Sequence, residues 1–343
     1  MAQDYVVGLT SDNADADGRT IFGDVGLERL EAAGLTWRTM PPVDGHEATP
    51  AHLDGLDAVL SFGHWGWPRE LLAASPRLKH LARFGAGFDG IDPAAVAAEG
   101  VVLTTTPGAT TKPLAASAMT MLLAVAHNLP QNLFAARGGR WDERGRYIGR
   151  GLDGATVGIV GFGRAGQELA RLLAPFGARL LVHDVPALAD AASVLDAELV
   201  ELDDLLAEAD HLVLLAALTE GSHRMVDASL LARTKPGVTL TNVSRGGLVD
   251  HDALRAALAT GHVSAAGLDV LDPEPPAADD PLLTMENVLV TPHALFWTRD
   301  FVDGVATSAI EAIIDVAHGR RPATTVNPDV YDLAPRQAFG TGR

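Results

Sequence analysis

At 343 residues, with 47% hydrophobic and 20% charged side chains, the chain has the make-up of a globular protein large enough for two domains. A formal charge of −18 with no offsetting basic stripe argues against nucleic acid or an anionic membrane as partner. The absence of cysteine excludes disulfides, thiolate metal sites and cysteine nucleophiles.

The opening MAQDYVVGLTSD has neither the basic start nor the apolar core of a secretory leader. No apolar run reaches the length of a membrane span, so a cytoplasmic protein is expected. Residues 1–105 then read as alternating strands and helices. Strands are expected at 5–9, 58–61, 78–83 and 101–105, and helices at 22–33, 70–74 and 93–99. This rhythm predicts a small parallel sheet with helices on both faces. Two loops fall at strand ends, FGHWGWP at 62–68 and FGAGFDG at 84–90, where open α/β sheets bind ligands. Residues 106–129 are small or apolar and predict one buried helix. The Gly- and Arg-rich stretch 137–151 has no clean period and is either an exposed arm or an oligomer contact, with Trp141 as a packing anchor.

Residues 155–184, ATVGIVGFGRAGQELARLLAPFGARLLVHD, are the stretch on which the rest depends. An apolar strand runs into Gly161, Gly163, Arg164, Ala165 and Gly166. An amphipathic helix, a second strand and Asp184 follow, which is the full context of a dinucleotide fingerprint. Gly161 makes the tight turn, Gly163 admits a pyrophosphate, and Gly166 lets helix and strand pack closely. The helix N-terminus turns unpaired N–H groups toward the phosphates. Asp184 is placed to accept from the ribose hydroxyls and to repel a 2′-phosphate, so NAD is expected in preference to NADP.

Further βα units follow, with helices at 202–209, 227–234 and 250–259 and strands at 211–215, 238–243, 265–270 and 288–291. A long helix over 298–318 and a Pro-rich tail complete the chain. Arg245, Glu274 and His293 all lie in loops after strands of this second half. Together they form the set needed to reduce a keto acid. His supplies a proton near neutral pH. A carboxylate holds the ring and favours its charged form. A guanidinium grips the substrate carboxylate through two parallel hydrogen bonds.

NVSRGGLVD at 242–250, GLDVLDPEP at 267–275, TPH at 291–293 and FGAGFD at 84–89, with GFGRAG between them, resemble in order the motifs of the D-isomer-specific 2-hydroxyacid dehydrogenases. The resemblance covers most of the chain. It implies an α/β fold of two doubly wound parallel sheets, with a Rossmann NAD domain at 106–296 inserted into a smaller flavodoxin-like substrate domain. That smaller domain would comprise 1–105 and a returning segment at 297–343. It implies Arg245, Glu274 and His293 as catalytic residues. Arg164, Ala165, Val243 and Ser244 would lie along the NAD, with Asp269 on its carboxamide. Ala86 and Gly87 would offer amides to the substrate carboxylate. It further implies an interconversion of a small-molecule 2-keto acid and a D-2-hydroxy acid, no metal, and a homodimer formed through the arm around Trp141. Corepressor-like dinucleotide sensors and formate or phosphite dehydrogenases share the scaffold.

Gly90, the run Ala294-Leu295-Phe296-Trp297, and Leu114-Ala115-Ala116-Ser117 depart from the family pattern. Members acting on phosphorylated substrates resemble one another in placing arginines in the loop that here is 62–68, which carries tryptophans instead. His64, Trp65, Trp67, Phe88, Phe296 and Trp297 are either pocket-lining aromatics or packing residues. As pocket residues they favour an uncharged, apolar substrate side chain.

Overall fold

The computed structural model describes residues 4–43, 47–63 and 65–333. Those residues form two compact units, one built from the chain up to Thr110 and from Thr298 onward, the other from Thr111 to Trp297.

The first unit runs β1 (Val6–Leu9), α1 (Glu28–Ala32), β2 (Thr36–Thr39), α2 (Pro50–Leu53), β3 (Ala58–Ser61), α3 (Arg69–Ala73), β4 (His80–Arg83), α4 (Pro93–Ala98) and β5 (Val102–Thr104). Its strands are all parallel, in the order β2-β1-β3-β4-β5. The central strands β3 and β4 are wholly buried; β3 is apolar or small throughout, whereas β4 begins and ends in polar residues, His80 and Arg83, that are buried with hydrogen-bond partners. The edge strand β2 alternates exposed and half-buried positions, a polar pattern that gave no strand signal in the sequence. The helix expected at 22–33 begins only at Glu28. Gly23 (φ +85°) and Gly26 (φ +76°) break the approach to it, leaving Phe22 in a loop.

The second unit begins in α5 (Pro107–Ala126) and continues with α6 (Leu129–Arg137), β6 (Thr156–Val160), α7 (Arg164–Leu173), β7 (Arg179–His183), α8 (Ala189–Val194), β8 (Ala197–Leu199), α9 (Leu202–Glu208) and β9 (His211–Leu214). It closes with α10 (Ala228–Leu231), β10 (Val238–Asn242), α11 (His251–Thr260), β11 (Val263–Leu268) and β12 (Val288–Val290). The sheet order is β12-β11-β10-β9-β6-β7-β8, again parallel throughout. The chain then passes through α12 (Arg299–Ala317) back into the first unit.

The sequence places the first boundary at 105/106, whereas the units part at 110/111. The first turn of α5 stays with the first unit, where Thr106 donates to Gly85 O (2.9 Å) and Ala109 packs against Gly304. The second crossing falls at 297/298, one residue beyond the expected 296/297. The single helix expected over 106–129 ends at Ala126, because Asn128 turns left-handed (φ 49°) before α6 starts. By length and composition α5 could cross a membrane, contrary to the expectation that no segment is so built. Its inner face, including Ala115, Ala118, Met121 and Leu122, packs instead into the second unit's core with Ile159, Phe162 and Leu169.

Candidate active site

The cofactor turn is built from inside the second unit. Gly161 sits at φ +99°, and a Cβ there would lie 2.3 Å from Ala216 N; a Cβ on Gly166 would lie 2.4 Å from Gly161 O. Protein packing alone therefore demands both glycines. Gly163 is different, since its backbone is extended and a Cβ would meet nothing within 4 Å. The space above it, at the N-terminus of α7, is what a close-approaching pyrophosphate needs. Asp184 accepts from Phe162 N (2.6 Å) and Val185 N (2.7 Å), so its carboxylate also pins the glycine turn. Each oxygen keeps acceptor capacity for a ribose hydroxyl.

Val243 and Ser244 are buried just beyond β10, where Ser244 Oγ donates to Ala216 O at 2.6 Å. Asn242, fully buried, accepts from Ser244 N (3.1 Å) and donates to Arg245 O (2.9 Å), fixing the backbone on both sides of the arginine. A Cβ on Gly246 would lie 1.9 Å from Leu271 O. That contact holds the Arg245 loop against the loop carrying Glu274.

Glu274 Oε1 accepts from Leu271 N (2.9 Å), and Oε2 lies 2.8 Å from His293 Nδ1. The side chains are half-buried, 35% and 22% exposed, so the pair is only partly screened by water. His293 itself stands at φ +53°, a conformation that costs a non-glycine residue free energy. Asp269 supplies the compensation. Its Oδ1 accepts from Thr291 Oγ1 (2.6 Å), Ala294 N (3.1 Å) and Leu295 N (3.2 Å), gathering the chain on both sides of the histidine. Burial pushes the Asp269 carboxyl above the usual carboxylate range, against the pull of those donors. Its Oδ2 is buried without a partner among the described residues. An orphaned acceptor at this strand end fits a carboxamide N–H of the nicotinamide.

The second unit therefore brings Arg245, Glu274, His293 and Asp269 to neighbouring loops at the carboxyl ends of β10, β11 and β12. Ala86 and Gly87 stand in the loop after β4 of the first unit, half-buried. Trp65 and Trp67, read above as candidates for a pocket wall, are each 2% exposed. They fill the first unit's core with Leu71, Leu81 and Ile91, so neither lines a site. Their apolar area is worth more inside this small core than at a rim. His64 lies outside the described residues. Phe88 and Trp297 are exposed, and Phe296 sets its ring 5.8 Å from that of His293. Sequence reasoning missed Asn242 and the positioning role of Asp269. The signal available for Asp269 was its place four residues before Pro273, as the acid that ends a run of small and apolar residues, Ala265 to Leu268.

The family model for the D-isomer specific 2-hydroxyacid dehydrogenase NAD binding domain matches residues 119–294. D-3-phosphoglycerate dehydrogenase of Mycobacterium leprae is 37% identical over 289 residues, covering 84% of this chain and 54% of that protein. The chain thus spans about half the length of the phosphoglycerate dehydrogenases it matches. Glyoxylate reductase of Thermococcus onnurineus is 36% identical over 284 residues, covering 81% of this chain and 85% of the relative. Among solved structures, a protein of Thermus thermophilus superposes with a TM-score of 0.80 at 32% identity, covering 94% of this chain and 99% of the other. D-lactate dehydrogenase of Aquifex aeolicus, solved with NAD and lactic acid, shares the fold, with a TM-score of 0.81, 24% identity and coverage of 94% and 99%.

Proposed function

The chain belongs to the D-isomer specific 2-hydroxyacid dehydrogenase family and binds NAD, and from that premise we propose that it interconverts a 2-keto acid and a D-2-hydroxy acid. The observation that carries the reading is the 2.8 Å pair between His293 Nδ1 and Glu274 Oε2 in strand-end loops of the NAD domain. The Gly161–Gly166 turn and Asp184 would hold NADH, which when bound would supply the hydride.

The protein's own groups do the rest. Arg245 binds the substrate carboxylate and polarises the ketone; the first unit, taken by itself, offers the Ala86 and Gly87 amides to a carboxylate. With Nδ1 committed to Glu274, Nε2 of His293 is the nitrogen that gives a proton to the ketone oxygen. Glu274 steadies the imidazolium before that transfer. In the reverse direction the same nitrogen takes the proton back.

Phe296 and Trp297, which follow His293 in the chain, support an apolar substrate side chain, each buried CH₂ contributing about 0.8 kcal/mol. The carboxylate of Asp184 supports at least a tenfold preference for NADH over NADPH, roughly 1.4 kcal/mol. A homodimer is the corresponding assembly. Leu129, Phe134, Trp141 and Ile148 are 42–83% exposed along the segment between α5 and β6, enough apolar surface to mark an interface.

The decisive measurement is loss of NADH absorbance against a panel of glyoxylate, pyruvate, branched and aromatic 2-keto acids and 3-phosphohydroxypyruvate, with NAD plus formate or phosphite as contrasts. Branched or aromatic acids are expected to give the highest kcat/KM. Turnover of formate or phosphite alone would overturn the assignment, and so would binding of NADH with no turnover of any acid.

A further inference from the structure

At the end of β4 the side chain of Arg83 is folded under the loops instead of into solvent, and only 5% of the residue is exposed. Its Nε donates to Gly87 O (3.1 Å), and its Nη1 donates to Ser61 O (3.2 Å), Ser61 Oγ (3.0 Å) and Gly63 O. One planar guanidinium thus ties the loop after β3 to the loop after β4.

The effect on the second loop is directional. The Gly85 carbonyl accepts from Thr106 N (2.9 Å), that of Gly87 from Arg83, and that of Phe88 from Ile91 N (3.0 Å). Gly85, at φ +150°, supplies the backbone conformation at the loop's entry. The N–H groups of Ala86 and Gly87 have no acceptor among the described residues. Carbonyls engaged by the protein and amides left over, with a buried positive charge beside them, are the arrangement that backbone uses to recognise an anion.

We infer that Arg83 is a positioning residue for substrate binding: its guanidinium holds residues 85–88 so that the Ala86 and Gly87 amides face a carboxylate. The inference rests on the proposed function, in which those amides bind the substrate acid. Lysine keeps the charge but not the fork, and it cannot reach both loops from one plane.

The test uses the full chain with NADH bound, comparing wild type with Arg83→Lys and Arg83→Met. Hydrogen exchange over residues 84–90 should accelerate in both variants. The KM for the favoured 2-keto acid should rise about tenfold in Arg83→Lys and more in Arg83→Met, since an ångström of misplacement costs on that scale. NADH affinity should stay within about twofold, because the nucleotide-binding groups belong to the other unit, and kcat should change less than KM. A purely structural residue would move stability and NADH affinity together. An active wild type whose variants keep their KM, or whose loop exchange is unchanged, overturns the inference and leaves the proposed function standing. A wild type that turns over no 2-keto acid overturns both.

Discussion

The two sheets share a plan and differ at one end. Strands β2-β1-β3-β4-β5 of the first unit correspond in order to β7-β6-β9-β10-β11 of the second. Where the strands begin, the two are nearly superimposable in chemistry. Asp57, just before β3, accepts from Val6 N (3.0 Å) and pairs with Arg77 (2.6 Å) and Lys79 (3.2 Å). Asp210, just before β9, accepts from Thr156 N (2.9 Å) and pairs with Lys235 (3.1 Å) and Arg150 (2.8 Å). In both, the aspartate's own N–H donates back to the residue it caps, Val6 O at 2.9 Å and Thr156 O at 2.8 Å. Where the strands finish, the likeness stops. One sheet ends in the Arg83 clasp and two leftover amides, the other in a glycine turn and an acid–base pair. The strand starts hold paired charge networks, and the proposed site lies at the strand finishes, as expected of ligand sites at carboxyl ends.

The largest effect should come from the finishing ends. His293→Gln should lower kcat by about 10²–10⁴, while Arg245→Lys should chiefly raise the KM for keto acid. Neither should shift Tm by more than a degree or two. Steady-state kinetics beside thermal melts would show it, and a large Tm loss in His293→Gln would break the division of labour.

At the starting ends the expectation reverses. Asp57→Asn and Asp210→Asn retain an oxygen for the strand N–H but lose two charge-assisted partners, for a destabilisation of about 1–3 kcal/mol each. Urea denaturation should find the two losses similar, with kcat per folded molecule unchanged. A variant that is stable but slow would place function at the wrong end.

The smallest effect is in pH. His80 opens β4, pairs with Thr104 Oγ1 at 2.9 Å, and is lowered by burial to about 3. Its folded value lies below the ordinary 6.5. The denatured chain therefore takes up a proton as pH falls through 6.5, while the native chain does not until about 3. Stability is full above pH 6.5 and declines below it, by at most about 1.4 kcal/mol per pH unit from this group. Burial gives His211, which opens β9, the same sign. Urea midpoints between pH 7 and 5 should flatten in His80→Asn, and an unchanged slope would sink the assignment.

The sequence made the functional ends easier to read than the rest. Gly161, Gly163, Gly166 and Asp184 stand between two apolar runs and an amphipathic segment, a context that gives their spacing its meaning, and the motifs around Arg245, Glu274 and His293 are contiguous. Trp65 and Trp67 were ambiguous because an aromatic beside a strand end can turn either way. The small first unit uses them for its core. Arg83 was invisible because its partners, Ser61, Gly63 and Gly87, are mostly backbone carbonyls contributed by folding. The Asp57 and Asp210 clusters were hidden for a related reason: each draws its cations from other strands' entries, 20 or more residues away. Short polar edges such as β2 and β8 carry too little periodicity to be seen.

The first unit is split across the chain, and the split sets an order of events during synthesis. The exposed edge of β5 is closed by the returning segment. Asn327 Oδ1 accepts from Leu103 N (2.8 Å), Asn327 Nδ2 donates to Val101 O (2.9 Å), and Val326 N donates to Leu103 O (2.8 Å). Roughly 220 residues separate those partners, about 10–45 s of translation at 5–20 residues per second. Throughout that interval β5 is an open strand edge on a nascent chain, the kind of edge that invites wrong pairing. The contiguous second unit can fold on emerging from the ribosome, while the first, although begun earlier, must wait for its last strap.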